Sequence, residues 1–342
     1  MDVEPVVRSV CYFTSSPDAR TAHRLDQMCA RLESEGIAVQ TRRILAPASM
    51  SEFAGLAQRD DIYPSVGRVS LASFESQREL FAAIPKMSCH LDLTDEEPRP
   101  EHVDALFWLL RECPEKTFYF SYSFLTPPSS PYFPASVYAQ DGFSIGLQPT
   151  NLAADCDTPE AWFGNMRGAW ERIALLVGRE PDFIGIDSSV APLGSDAGSL
   201  VDFVVRLYGS FQRSILTDFY LWLTAFLKAA NPAPAGLCGL MLPCLEDTTL
   251  AQEYEAGRFD LPTNLLLSLN SGLGIDTYPI GIDESPDTVL DLLRLVRGLS
   301  LKHAKTLSVR FVSDGRAAVG DMTDFRNEYL SDVTVRSLLP ER

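Results

Sequence analysis

The chain has 342 residues, 46% of them apolar and 22% charged, which is an ordinary composition for a protein that buries a large core. Acidic residues outnumber basic ones 46 to 29, and the net charge of −17 argues against nucleic acid or an anionic membrane surface as a partner. Seven scattered cysteines without a C-x-x-C pair argue against a disulfide framework and a structural zinc site. The N-terminus has no signal-peptide pattern and no apolar segment is long enough to span a bilayer, so we expect a cytoplasmic protein.

The first half of the chain alternates between strand and helix patterns. Val6–Thr14 is β-branched and aromatic, which predicts a buried strand, and Ser16-Pro17 is typical of a helix start. Gly36 closes this helix, and the next strand, predicted over 37–44, should lie parallel to the first. The remaining predicted elements of this half are a strand over 67–73, helices from 75 and over 101–111, strands over 116–125 and 142–148, and a proline-rich loop over 126–134.

The second half continues the same alternation. Its predicted helices cover 159–177, 199–208, 215–229, 247–256, 263–270 and 286–302, and its predicted strands cover 183–187, 236–242, 275–280 and 306–312. Nine or ten strands that alternate with helices predict an α/β fold. We find no linker that divides the chain, so we expect residues 1–342 to form a single domain.

Several short motifs carry a family resemblance. They are Thr41–Ile44, Pro131–Pro134, Phe143–Gly146, Ile186–Pro192, Gly239–Pro243, Leu245–Asp247, Gly274–Pro279 and Gly320–Asp324. With these motifs, which extend over nearly the whole chain, the sequence resembles the domain-of-unknown-function 711 family. The resemblance implies a fold similar to pyruvate formate-lyase, a ten-stranded α/β barrel in two halves. The chain lacks the Arg-Val-x-Gly-Tyr loop of glycyl radical enzymes, so radical chemistry is not expected with the fold.

Three carboxylates are candidates for catalysis. Glu246 follows the predicted strand 236–242, Asp187 ends the strand 183–187, and Asp276 lies between Gly274 and Pro279. The ends of parallel strands present ligand groups, and converging carboxylates either divide into an acid and a base or bind a hard cation. We therefore expect general acid–base chemistry at these residues, or assistance by Mg²⁺ or Ca²⁺.

The metal ligands expected from this pattern are Glu246 and Asp247. The alternative is that Asp247 caps the following helix and Glu246 is solvated. No residue pattern identifies any other cofactor.

The predicted substrate-binding residues are Arg42, Arg43 and Thr277, together with Asp321 and Asp324 of the C-terminal motif. An arginine at the end of a strand can hold a carboxylate or phosphate with two hydrogen bonds. The alternatives are a salt bridge for the arginines and ordinary solvated loop carboxylates for Asp276, Asp321 and Asp324.

The sequence therefore predicts an enzyme with a carboxylate-lined pocket that acts on a small polar metabolite as a hydrolase, lyase or isomerase. The alternative is a non-catalytic binding or regulatory protein that uses the same cavity. Cys238 and Cys244 are either reactive thiols or small buried side chains. The aromatic residues of 211–226 either seal a homo-oligomer interface or pack inside the monomer.

Overall fold

Strands and helices alternate along the chain in the computed structural model, which describes residues 4–56, 58–132 and 134–339. In these ranges the strands are β1 Val6–Phe13, β2 Ala38–Val39, β3 Arg42–Leu45, β4 Ile62–Val69, β5 Ser88–Asp92, β6 Phe120–Phe124, β7 Gly142–Leu147, β8 Phe183–Asp187, β9 Gly274–Pro279 and β10 Leu307–Val312. The α-helices are α1 Ala19–Ser34, α2 Leu71–Ala83, α3 Pro100–Glu112, α4 Pro159–Val177, α5 Leu200–Tyr208, α6 Phe211–Ile215, α7 Phe219–Ala229, α8 Thr248–Glu255, α9 Leu261–Asn270 and α10 Pro286–His303. The predicted α/β class is confirmed.

The strands form one mixed sheet in the order β8-β7-β1-β3-β4-β5-β6-β10-β9, and the short β2 pairs with β1. Neighbours from β1 through β3, β4 and β5 to β6 are parallel, and so are the pairs β7–β8 and β9–β10. The two junctions β1–β7 and β6–β10 are antiparallel. The sheet therefore has a first parallel group, β1 and β3 to β6, which is flanked by β7 and β8 on one side and by β10 and β9 on the other.

Strand ladders do not close this sheet, because β8 and β9 are its two edges. The segment 233–247 contacts both edges through isolated hydrogen bonds. The Met241 N–H donates to the Val190 carbonyl at 2.8 Å, beyond the end of β8, and the Cys244 N–H donates to the Asp276 carbonyl of β9 at 2.9 Å.

The predicted strand over 236–242 is therefore an irregular segment with isolated bridges to its neighbours. Its sequence explains the difference. Gly236 has a φ of 73° and Cys238 a φ of 46°, and both values interrupt an extended strand. Pro243 has no N–H to donate to a ladder.

Other predicted elements also differ from the structure. β4 begins at Ile62, and Ser70 at its end caps α2 by accepting a hydrogen bond from the Ser73 N–H at 3.2 Å, so the predicted strand over 67–73 extends too far. β5 was not predicted, because its sequence Ser-Cys-His-Leu-Asp has few β-branched residues. The helix predicted over 215–229 breaks between α6 and α7.

The two faces of the sheet have different partners. The helix α1 packs against β1 and β3 on one face. The described parts of the proline-rich loop 126–138, which are 126–132 and 134–138, lie against the other face, where the Ser9 hydroxyl donates to the Pro131 carbonyl at 2.8 Å. At Gly146 on β7 any Cβ would overlap the ring of Tyr132, so only glycine admits this loop so close to the strand.

No helix among the described residues is both long enough and apolar enough to cross a membrane. The organisation as a single domain and the location in the cytoplasm stay predictions.

Candidate functional site

A cavity with an empty volume of about 670 Å³, including space open to solvent, lies on the loop-bearing face of the sheet. We call it the arginine cavity after three of its lining residues, Arg8 of β1, Arg43 of β3 and Arg310 of β10. Its other charged lining residues are Glu246 and Asp276. Its aromatic lining residues are Tyr63, Phe118, Tyr119, Tyr132 and Tyr329.

The pairing of the strands explains how arginines reach this cavity. Arg43 pairs with Cys11 of β1 and Tyr63 of β4, and alternation along β3 places it on the face opposite to Arg42. Arg8 lies at a register shift between β1 and β7, and Arg310 lies at a register shift between β10 and β9. Pairing between distant strands therefore sets the position at which each arginine reaches the cavity.

Arg310 joins the two carboxylates of the cavity. Its Nη2 donates to Glu246 Oε1 at 2.7 Å and its Nε donates to Asp276 Oδ1 at 2.6 Å. Arg8 Nη2 donates to the other Glu246 oxygen at 3.1 Å. Burial disfavours the charge on Arg310, but Asp276 and Glu246 outweigh this effect and raise its pKa. Glu246 therefore binds two guanidinium groups.

Arg43 is the third cation of the cavity. Its guanidinium lies over the ring of Tyr63, 5.6 Å from the centroid, and its Nε donates to Thr41 Oγ1 at 3.3 Å. Burial, followed by repulsion from Arg8, lowers the pKa of Arg43 to about 10. Arg8 and Arg43 thus line the same poorly solvated cavity, and their like charges repel each other.

Aromatic side chains from distant segments wall the cavity. Tyr132 comes from the loop 126–138, and its hydroxyl donates to the Leu147 carbonyl at 2.6 Å. Tyr329 comes from the C-terminal loop and lies parallel to Phe118, with ring centroids 6.4 Å apart. The Arg8 guanidinium lies 5.7 Å from the Tyr329 centroid, within the range of a cation–π contact.

Of the three predicted catalytic carboxylates, Glu246 and Asp276 line the arginine cavity and share Arg310. Asp187 does not line it. Its carboxylate is fully buried and accepts hydrogen bonds from the Ser130 hydroxyl at 2.7 Å and from the N–H groups of Leu237 and Cys238 at 2.9 and 3.0 Å. Asp187 thus holds the start of the irregular segment 233–247 in place.

Asp247 caps two helices. Its oxygens accept hydrogen bonds from Ser199 Oγ and the Leu200 N–H at the start of α5, at 2.6 and 3.0 Å. They also accept from the N–H groups of Thr249 and Leu250 at the start of α8, at 3.1 and 3.2 Å. Burial raises the pKa of Asp247 to about 6 although these donors act to lower it. Its carboxylate thus has the capping role that was the alternative to metal binding.

The other predicted substrate-binding residues are spread over the molecule. Arg42 forms ion pairs with Asp26, Glu33 and Asp61, at 3.5, 3.2 and 3.3 Å, on the opposite face of the sheet from Arg43. Thr277 is buried and is not a lining residue of the arginine cavity.

The two carboxylates of the C-terminal motif also lie away from the arginine cavity. Asp321 is exposed and accepts a hydrogen bond from the Ala318 N–H at 3.1 Å. Asp324 is exposed and pairs with Arg326 at 2.9 Å.

Arg8 and Arg310 are not among the site residues predicted from the sequence, although a signal for both is present. Each is a single charged residue in an otherwise apolar strand, in Val-Val-Arg-Ser-Val and in Ser-Val-Arg-Phe-Val. Charged residues are rarely buried without a partner, so an arginine in such a strand indicates a buried ion pair or a ligand. Tyr329 has no comparable signal, because it lies in a loop.

Metal-binding groups of three or more His, Cys, Asp or Glu side chains do not occur in the described part of the chain. Cys238 and Cys244 are buried, and burial raises the pKa of both thiols, which suits the alternative of small packed side chains.

Comparison with known proteins relates part of this chain to an uncharacterised family. Residues 165–328 match the family model described as Uncharacterised ACR (DUF711), which confirms the resemblance for this segment. The match includes Glu246, Asp276 and Arg310, whereas Arg8 and Arg43 lie outside it.

UPF0210 proteins from species of Pyrobaculum are similar to the chain over a comparable length. The protein from P. islandicum is 30% identical over 172 residues, and those from P. arsenaticum and P. aerophilum are 29% identical over 175 and 171 residues. Each alignment covers 46% of this chain, and the chain spans only 38% of the length of each relative.

Proposed function

We propose, starting from the match of residues 165–328 to the uncharacterised DUF711 family model, that this protein binds a small anionic metabolite in the arginine cavity. The observation that carries the proposal is the presence of three arginines and two carboxylates in the lining of one cavity. A planar guanidinium binds carboxylate or phosphate oxygens with two parallel hydrogen bonds, so both groups fit this lining. The non-catalytic binding role predicted as the alternative is therefore our first proposal.

The electrostatics of the cavity support an anionic ligand over a cationic one. Arg8 repels Arg43, and burial disfavours the charge on Arg43 as well. An anion bound between these guanidinium groups would reduce both the repulsion between Arg8 and Arg43 and the cost of burying the Arg43 charge. A neutral ligand would leave the repulsion and this cost unchanged, and a cation would increase them.

Anion binding is tested by calorimetric titration of the protein with phosphate and with small mono- and dicarboxylates. Arg43→Met keeps most of the side-chain volume but removes the charge, and we expect it to weaken the affinity by roughly tenfold to a hundredfold, because hydrogen bonds to charged groups contribute about 1.5–3 kcal/mol. Arg42→Met is the matched control, since Arg42 forms its ion pairs on the other face of the sheet. Equal affinities in both variants would refute the proposal.

Catalysis on the bound metabolite is the second candidate, and the position of Asp276 favours it. The Asp276 side chain is 21% exposed, compared with 8% for Glu246, and it lines both the arginine cavity and a neighbouring one. It is therefore the carboxylate best placed to exchange a proton with a ligand. Incubation with a metabolite extract, followed by mass spectrometry, should reveal turnover that Asp276→Asn abolishes.

Assistance by Mg²⁺ or Ca²⁺ stays part of this second candidate. The Arg310 guanidinium lies between Glu246 and Asp276, so a divalent ion would have to displace it or bind beside it. A metal that binds only the folded state adds about 2.7 kcal/mol at a hundredfold excess over its Kd. A rise in melting temperature with Mg²⁺ or Ca²⁺ that Asp276→Asn removes would support the metal, and no rise would refute it.

We also propose that the sheet belongs to a pyruvate formate-lyase-like barrel. The segment 233–247 supports this proposal, because its isolated parallel bridges link the end of β8 to β9. With this segment as a fifth member, the strands β7, β8, β9 and β10 would match the five parallel strands β1, β3, β4, β5 and β6. An experimental structure in which residues 233–247 leave one edge uncovered would refute it.

A further inference from the structure

A second cavity adjoins the arginine cavity. Its empty volume is about 430 Å³, including space open to solvent, and it shares Tyr132, Pro134, Met241, Asp276 and Arg310 with the first cavity. The two spaces thus meet at the Asp276–Arg310 ion pair.

The two cavities differ in chemistry. The second one is lined by the aliphatic side chains of Leu237, Met241, Leu242 and Leu273, and we call it the leucine compartment. The Asp276–Arg310 pair, which it shares with the arginine cavity, provides its charged lining residues. The combined space therefore has a cationic end and an aliphatic end.

One polar group of the leucine compartment lacks a partner. The hydroxyl of Ser121 is buried and makes no hydrogen bond within the described part of the chain. A buried hydroxyl without a partner is costly, and a polar group on a ligand would satisfy it. Ser121 lies on β6 and lines the leucine compartment but not the arginine cavity.

We infer that the ligand of this site is a short-chain aliphatic acid or phosphate monoester whose anionic head binds the arginines and whose chain, carrying a hydroxyl or carbonyl, enters the leucine compartment. The inference rests on the proposed function, because it assigns the head to the arginine cavity. It adds the class of the ligand, which the arginines alone do not define. Carboxylate and phosphate heads share the chemistry that guanidinium groups recognise.

The test uses two series of probes on the full chain. Acetate, butyrate and hexanoate form the carboxylate series, and methyl, butyl and hexyl phosphate form the phosphate series. Each methylene that enters the compartment should tighten binding by about fourfold in calorimetric titration, since its burial is worth about 0.8 kcal/mol. The series in which the affinity increases with each methylene identifies the head group of the ligand.

A matched pair of variants tests where the aliphatic chain of the ligand binds. Ala135 lines the leucine compartment but not the arginine cavity, whereas Ala139 of the same loop region is exposed. Ala135→Leu should fill the compartment and abolish the dependence on chain length while binding of acetate and methyl phosphate persists. Ala139→Leu should retain the dependence.

The polar group on the aliphatic chain of the ligand is tested separately. Addition of a hydroxyl, as in 4-hydroxybutyrate compared with butyrate, should tighten binding by about fivefold in the wild type, the gain expected of one hydrogen bond. Ser121→Ala should remove this gain and leave butyrate unaffected. If the hydroxyl brings no gain in the wild type, the assignment of Ser121 is wrong.

The outcomes separate the inference from the proposed function. If anions bind with the same affinity at every chain length, or if Ala135→Leu retains the dependence, the inference is overturned and the proposed function stands. If neither phosphate nor any carboxylate binds, the proposed function fails and the inference fails with it. The wild-type series alone decides the first point, even if a variant does not fold.

Discussion

Glu246 and Arg310 form a buried ion pair in which Arg310 Nη2 lies 2.7 Å from Glu246 Oε1. Their side chains are only 8% and 9% exposed, so little solvent screens the pair. The second Glu246 oxygen accepts a hydrogen bond from Arg8. One carboxylate thus compensates two guanidinium groups from opposite ends of the chain and limits the positive charge of the arginine cavity.

Glu246→Gln should affect stability and binding in opposite directions. Removal of the charge leaves Arg8 and Arg310 poorly compensated, and loss of one partner of a buried pair costs about 3–5 kcal/mol. The free energy of unfolding, measured with urea, should fall by about that amount. The affinity for a small anion should rise, because the cavity loses a negative charge.

Glu171→Gln is the control for this experiment, since Glu171 is exposed on α4. It should change neither quantity measurably. A Glu246→Gln variant as stable as the wild type would show that the ion pair contributes little, and weaker anion binding would contradict the charge argument.

Gly236→Ala tests the anchoring role of Asp187. The added Cβ would overlap the Asp187 carboxylate, and Gly236 has a φ of 73° that alanine adopts only with strain. If this overlap displaces the Asp187 carboxylate, the N–H groups of Leu237 and Cys238 lose their hydrogen-bond acceptor. We expect a loss of roughly 3 kcal/mol in the free energy of unfolding.

Gly239→Ala in the same segment is the comparison, because its added Cβ would lie 3.5 Å from Leu273, an ordinary contact. It should cost less than about 1 kcal/mol. Similar losses in both variants would show that the segment, and not the Asp187 contact, is sensitive to substitution.

Asp247 should make stability depend on pH. Its pKa is about 6 in the folded chain and 3.8 as a model carboxyl, so between these values the folded state holds a proton that the unfolded state has released. The stability contributed by this residue therefore decreases as pH rises from about 4 to 6, by at most about 3 kcal/mol.

Asp247→Asn cannot titrate and should lack this decrease. Urea unfolding at several pH values between 4.5 and 7 measures the free energy of unfolding of the wild type and the variant. With increasing pH, the stability of the variant should rise relative to that of the wild type. The lost cap should cost the variant about 1 kcal/mol independently of pH. Parallel curves for the two proteins would contradict the raised pKa.

The homo-oligomer stays a prediction, and α7 is the place to test it. Phe219 and Tyr220 are buried within the chain, whereas Leu221 and Trp222 are 54% and 39% exposed. If this exposed face forms an interface, Leu221→Glu should convert an oligomer into a monomer in sedimentation experiments, because a charge in an apolar interface is costly. Leu301→Glu on α10, where Leu301 is 47% exposed, is the control.

Much of the fold could be predicted because its signals are local. Hydrophobic periodicity, caps and prolines indicate α1, α4 and α10, as well as the strands β1, β7 and β8, from neighbouring residues alone. Glu246 and Asp276 were predicted for a similar reason, since each stands next to an apolar run. The residue pattern over 236–242 suits a strand, but the positive φ values of Gly236 and Cys238 interrupt the backbone there.

Only the tertiary structure decided which charged residues share a site. Arg42 and Arg43 are neighbours of the same residue type. Because of the strand register, Arg42 lies on the helix-bearing face of the sheet, whereas Arg43 lines the arginine cavity. Arg8 and Arg310 reach the same cavity at register shifts with β7 and β9, and these shifts depend on pairing between distant segments. The sequence thus determined the strands that carry the arginines, while long-range pairing, which leaves no trace in neighbouring residues, decided that they converge on Glu246.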